Sequence, residues 1–182
     1  MLKITIKNKN ITMSEGLESF GQKVNFYGIN YDQLRGVGAY RSITSEAGSK
    51  YLVAEITPDD FLSLAANLPP GKSVDLGVQE FIDLFKSGGS IASPFLEFKF
   101  DKKSKTFEIV SHEGRHRALA IKKLDPSAKI PVIFANVDPM KKQDILKIVK
   151  YLNSEIKSQK KTAVKLSQPI DKIFLDGQIH TV

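Results

Sequence analysis

The chain has 182 residues, 41% hydrophobic and 26% charged, which suits one ordinary domain with a single core. It contains no cysteine, and this excludes disulfides, thiolate metal sites and a cysteine nucleophile. The formal charge of +7, from 27 Lys plus Arg against 20 Asp plus Glu, favours contact with polyanions, nucleic acid above all.

No apolar run approaches the roughly 20 residues that span a bilayer, so no membrane partner is expected. Met1 to Lys7 alternates like a strand and has no signal-type apolar block, so a cytoplasmic location is expected. Leu2, Ile4 and Ile6 predict a short half-buried strand over 2–6, followed by a turn at Asn8-Lys9-Asn10. Residues 14–50 carry glycines at 16, 21, 28, 36, 38 and 48 and no clear apolar period. Residues 1–50 are therefore expected to be a strand and an irregular arm. Within the arm, Gly36-Val37-Gly38-Ala39-Tyr40-Arg41-Ser42 could wrap a ligand.

Tyr51 to Ile56 reads as a strand. Thr57-Pro58-Asp59-Asp60 is a helix start, with a Thr cap, an early Pro and acids in the first turn. Phe61, Leu64, Ala65 and Leu68 supply the apolar stripe, and Leu68-Pro69-Pro70-Gly71 ends it. A second helix is predicted from about Asp75 to Lys86, with Val78, Phe81, Ile82 and Phe85 inward. The aspartates of both helices read as capping residues. Phe95–Phe100 and Thr106–Val110 then flank a polar turn, Asp101 to Lys105, as a hairpin. Further on, Ile130 to Val137 is a strand, and Asp138-Pro139 opens a long helix to about Lys157. Its apolar face is Ile145, Ile148, Val149, Leu152 and Ile156. A lysine-rich segment, 157–165, and a tail without a clear element complete the chain.

The chemistry concentrates in Ser111-His112-Glu113-Gly114-Arg115-His116-Arg117-Ala118, where a strand feeds a Gly turn and a helix over 118–124. A helix N-terminus offers unpaired N–H groups and partial positive charge, and Arg115 and Arg117 add cations, so phosphate is the natural ligand. Two residues apart at a helix start, those arginines cannot both face one way. The letters His112-Glu113-Gly114-Arg115-His116 also spell H-E-x-x-H, the zinc-protease pattern, with Glu155 as a conceivable third ligand. That chemistry needs both histidines on one helix. The strand-like approach and Gly114 argue against it, and His180 is the one later histidine.

Glu113-Gly114-Arg115-His116-Arg117-Ala118 followed by Ile130-Pro131-Val132-Ile133 resembles the ParB/sulfiredoxin superfamily. Ile56 to Phe61 resembles its first strand-to-helix step, and Phe81 to Gly89 with Pro94-Phe95-Leu96 its helix-Gly-Pro-strand step. The resemblance covers about 51–137; 1–50 and 138–182 lie outside it. It implies an α/β (α+β) domain, a mixed sheet with flanking helices, plus a C-terminal helix. It also implies a phosphate pocket for a nucleotide such as ATP or CTP with Mg²⁺.

Family activities include CTP hydrolysis, ATP use, serine phosphorylation and DNA cleavage. Without cysteine, sulfiredoxin's own reaction is excluded. The residues after 137 do not read as a helix-turn-helix, so a stand-alone domain of phage or plasmid type is expected. By the family pattern, Gly114 lets the phosphate approach and Arg117 points inward, with Arg115 a second cation. His116 hydrogen-bonds phosphate or moves a proton, and Glu113 is a base or Mg²⁺ carboxylate. His112 orients the turn, and Ser90 and Ser93 are further ligand contacts. A non-catalytic module binding DNA or protein is the alternative.

Overall fold

A computed structural model describes residues 3–6, 9–12, 24–26, 28–33, 51–136, 150–175 and 178–181. The loop at 36–42 and the first part of the C-terminal helix, 138–149, lie outside the described residues. The fold mixes α and β. Its centre is an eight-stranded sheet, with a three-stranded sheet and a two-stranded hairpin beside it in the sequence.

Near the N-terminus, β1 (Lys3–Ile6) pairs antiparallel with β2 (Lys9–Thr12). Lys9 and Asn10, expected in a turn, are thus paired in a strand. β3 (Val24–Phe26) and β4 (Ile29–Gln33) form a hairpin about Gly28, whose φ is 83°. These strands lie in the segment where no periodicity was legible.

The main sheet begins with β5 (Tyr51–Ile56). Helix α1 (Pro58–Leu64) follows as its cap predicts, the Thr57 hydroxyl accepting from the Asp60 N–H at 3.1 Å. It stops earlier than the apolar stripe suggested, with Ala65 as its extended C-cap. Helix α2 (Lys72–Lys86) starts one turn earlier than expected, behind Gly71, and buries Val78 and Ile82. β6 (Ser90–Ala92) joins β4 in parallel, completing the small sheet. β7 (Phe95–Asp101) and β8 (Thr106–Glu113) are the expected hairpin, and β8 runs three residues further, through Ser111, His112 and Glu113. Helix α3 (Arg115–Leu124) then leads to β9 (Ile130–Asn136), which lies parallel to β7 and antiparallel to β5.

The C-terminal portion departs most from expectation. The predicted helix does not reach Lys157, since Lys150–Ser154 is turn and β10 (Ile156–Lys157) pairs in parallel with β8. Leu152 and Ile156 are fully buried, so the apolar pattern is real but is satisfied by a turn and a strand. The tail also has structure. β11 (Ala163–Val164) pairs with β10, while β12 (Lys172–Leu175) joins β5 and pairs with β13 (Gln178–Thr181). Strand order is therefore β11-β10-β8-β7-β9-β5-β12-β13. The Asn153 side chain mimics a strand neighbour: its amide donates to the Ile170 carbonyl at 3.0 Å and its oxygen accepts from the Ile170 N–H at 2.6 Å.

The core holds Phe61, Leu64, Leu96, Phe98, Phe107, Ile109, Ile121, Ile130 and Phe134, each at most 2% exposed. α1 and α3 contribute Phe61, Leu64, Ala118 and Ile121 to it, which sets the start of α3 beside the β8 terminus. No helix among the described residues is long and apolar enough to cross a membrane.

Candidate functional site at the start of helix α3

The turn between β8 and α3 depends on Gly114. Its φ of 112° and ψ of 15° place it in the left-handed region, where a side chain is disfavoured. A Cβ there would meet Pro94, with Cβ at 2.7 Å and Cα at 3.0 Å. The segment Ala92-Ser93-Pro94 thus lies directly across the first turn of α3. Among the described residues no side chain caps this helix, leaving its first N–H groups to another acceptor.

Arg117 binds to the same segment. It is 8% exposed and donates from Nη1 to the Ala92 carbonyl at 2.7 Å. Nη2 donates to Glu113 Oε1 at 2.9 Å, one helical turn back, and the Glu113 carboxylate is half exposed. Between Ala92 and Pro94, Ser93 is 3% exposed and its Oγ has no hydrogen-bond partner among the described residues. A buried unpaired hydroxyl costs about 1–3 kcal/mol, so an acceptor or donor brought by a ligand would relieve that penalty. Tyr31 in β4, buried at 1% exposed, adds to this neighbourhood. Burial holds its phenol well above the ordinary range, and the nearby Arg117 guanidinium offsets part of that rise.

Glu113, Gly114, Arg117 and Ser93 are therefore brought together. The other candidates splay away. Arg115 turns to the end of α1, donating to the Asn67 carbonyl at 2.7 Å and the Ala66 carbonyl at 3.2 Å. There it ties down the connection that follows α1, with Lys160 donating to Asn67 Oδ1 at 3.1 Å. His116 packs on α2, where a Cβ on Gly77 would lie 3.1 Å from the imidazole Cδ2. Ser90 stands at the far end of β6, in register with Asn30.

His112 is in β8, opposite Leu96. Both its ring nitrogens are shielded and lack a partner among the described residues. Burial and then the Arg115 charge push its pKa down, so it is neutral at physiological pH. The H-E-x-x-H letters are split between strand and helix, with a left-handed glycine between them. His112 and His116 consequently do not form the one-turn helical pair that zinc-protease chemistry requires. Among the described residues, no group of three or more His, Asp and Glu side chains is placed to hold a metal ion.

Beside Arg115 a cleft of about 460 Å³ opens between α3 and the α1–α2 connection, lined by Ala66, Pro69, Gly71, Val74, Asp75 and Leu119. Its size is in the range of small-molecule sites and its lining is mostly apolar. Sequence reasoning missed Tyr31 and this cleft. The double proline at 69–70 ending a short helix was the available signal for the cleft. Comparison with protein-family models, with curated proteins and with solved structures finds no match to this chain.

Proposed function

We propose that the chain is a phosphate- or nucleotide-binding protein of ParB/sulfiredoxin-like type, with the phosphate at the first turn of α3. The observation that supports this reading is the helix start behind Gly114, without a side-chain cap among the described residues, with buried Arg117 beside it and the Ala92-Ser93-Pro94 segment packed across it, where the Ser93 hydroxyl is buried and without a partner among the described residues. N–H groups, a hydroxyl and a guanidinium are the donor set a phosphate takes, and the left-handed glycine lets backbone approach it closely.

In the ligand-free protein Glu113 neutralises Arg117. An arriving phosphate competes for Arg117 and releases the Glu113 carboxylate. That carboxylate would then be free to act as a base or to hold a Mg²⁺ ion. Mg²⁺ would supply neutralisation of phosphate charge.

A nucleotide panel in a thermal-shift assay, with inorganic phosphate and pyrophosphate and with or without Mg²⁺, tests this. At a hundredfold excess over Kd a ligand adds about 2.7 kcal/mol, a rise in Tm of roughly 5–10 °C for a chain of this size. Arg117→Met should abolish the rise while keeping much of the packing. Absence of any shift across the whole panel would refute the reading.

A further inference from the structure

At the other end of β8 lies a second cationic feature that the phosphate turn does not involve. Tyr151, half-buried, stacks on Phe100 of β7 with ring centroids 6.0 Å apart and planes at 27°. Two exposed ammonium groups lie over its ring, Lys150 Nζ at 4.9 Å and Lys105 Nζ at 6.0 Å from the centroid. Both act on the phenol and lower its pKa, through hydrogen bonding from Lys150 first.

Lys105 closes the β7–β8 turn in a left-handed conformation, φ 56°, beside the exposed Lys102 and Lys103. The local acid, Asp101, is occupied within the turn, accepting from Ser104 Oγ at 2.6 Å and the Lys103 N–H at 2.9 Å. Phe100 pairs with Phe107, and Glu113 ends the same strand six residues later. At about 3.4 Å per residue the tyrosine and the phosphate turn are about 20 Å apart.

We propose that Tyr151 and the lysines around it form a binding surface for single-stranded nucleic acid. The flexible Lys150 and Lys105 side chains, which lie over the ring, swing aside to take the flanking phosphates together with the turn lysines, and the ring face they leave accepts a stacked base. An aromatic ring bracketed by ammonium groups is the combination that holds single strands without sequence preference. A bare lysine face would serve duplex DNA or an anionic membrane equally. The aromatic platform, already stacked on Phe100, selects the unpaired strand, whose bases are free to stack. Lysines on the opposite face of the sheet provide a comparison. Lys99 and Lys157 share the register row of Glu108, one residue from the Phe100–Phe107 row, and so face the other side.

The test is fluorescence anisotropy on the full chain with a labelled oligothymidylate, the corresponding duplex and phosphatidylserine vesicles, each over a range of salt. Tyr151→Leu keeps apolar contact with Phe100 but removes the ring, and should weaken single-strand binding about tenfold. Tyr151→Phe keeps the ring and should retain it. Lys105→Ala with Lys150→Ala should make the log–log salt slope shallower by about 1.4, from about 0.7 per phosphate neutralised on a single strand. Lys99→Ala with Lys157→Ala should have the smaller effect. The proposal is overturned if Tyr151→Leu binds as the parent does, or if the Lys99 and Lys157 pair matters as much as Lys105 and Lys150. Equal binding of duplex or vesicles would overturn it too. Failure of the nucleotide panel would leave this surface untouched, because it shares no residue with the turn.

Discussion

Substituting Gly114 by alanine tests the geometry of the α3 turn directly. At φ 112° any Cβ-bearing residue is strained, at a cost of about 1–2 kcal/mol. The new methyl would also sit 2.7 Å from Pro94 Cβ and 3.0 Å from Pro94 Cα, atoms of a buried ring and backbone that cannot swing aside. Overpacking of this kind costs about 1–3 kcal/mol. Together the loss is about 2–5 kcal/mol, or roughly 4–20 °C in Tm for a chain of this size. Circular dichroism melts would report it, and urea titration would show a lower midpoint at constant slope. Any displacement of the Ala92–Pro94 segment also moves the Ser93 hydroxyl and the carbonyl that holds Arg117. Ligand-induced stabilisation should therefore fall more than stability alone explains. A Gly114→Ala protein melting within a degree or two of the parent would refute the argument, because a turn that accepts a methyl there does not have this backbone.

Asp60→Ala should cost about 2–3 kcal/mol in a urea titration, since the buried carboxylate accepts from both the Ser167 N–H and its hydroxyl at 2.8 Å. Loss below about 0.5 kcal/mol would contradict a role for that pair in anchoring the C-terminal segment. His112→Leu should leave stability at pH 7 unchanged or raise it by up to about 1 kcal/mol, because two unpartnered nitrogens are removed. The imidazole pKa is lower folded than unfolded, so the unfolded state takes the proton first. Its contribution is complete above the unfolded value of about 6.5 and is lost as pH falls through that value towards the folded one. The parent should thus fall behind His112→Leu between pH 7 and 5 in chemical-denaturation midpoints, and a constant gap would contradict this.

Local signals were legible wherever neighbours in sequence settle the structure. Thr57-Pro58 announced α1, the alternation at 95–110 announced the hairpin, and Gly114 announced the break before α3. What could not be read depends on distant partners. Ile148, Leu152 and Ile156 have helical spacing, yet Leu152 is buried from a turn and Ile156 from a two-residue strand against Phe107. Periodicity cannot distinguish these when β8 supplies the hydrogen bonds. The site was half legible for the same reason. Gly114 and Arg117 follow from the turn, but Arg115 and His116 are claimed by α1 and α2. Each successive side chain on a helix points about 100° from the last, and three different elements surround the start of α3.

The strand order also shapes the path by which the protein is made. β8 and β5 each receive their outer neighbours, β10 and β12, from residues after 150. During synthesis, these margins of the central sheet wait for β10 and β12 to leave the ribosome. These margins carry Phe107, Ile109, Val53 and Ala54 and are suited to intermolecular strand pairing. The closing contacts are also far apart in sequence, which slows folding. A nascent chain is therefore most prone to aggregate before residues 156–175 emerge, and that is the stage at which a chaperone would have most to protect.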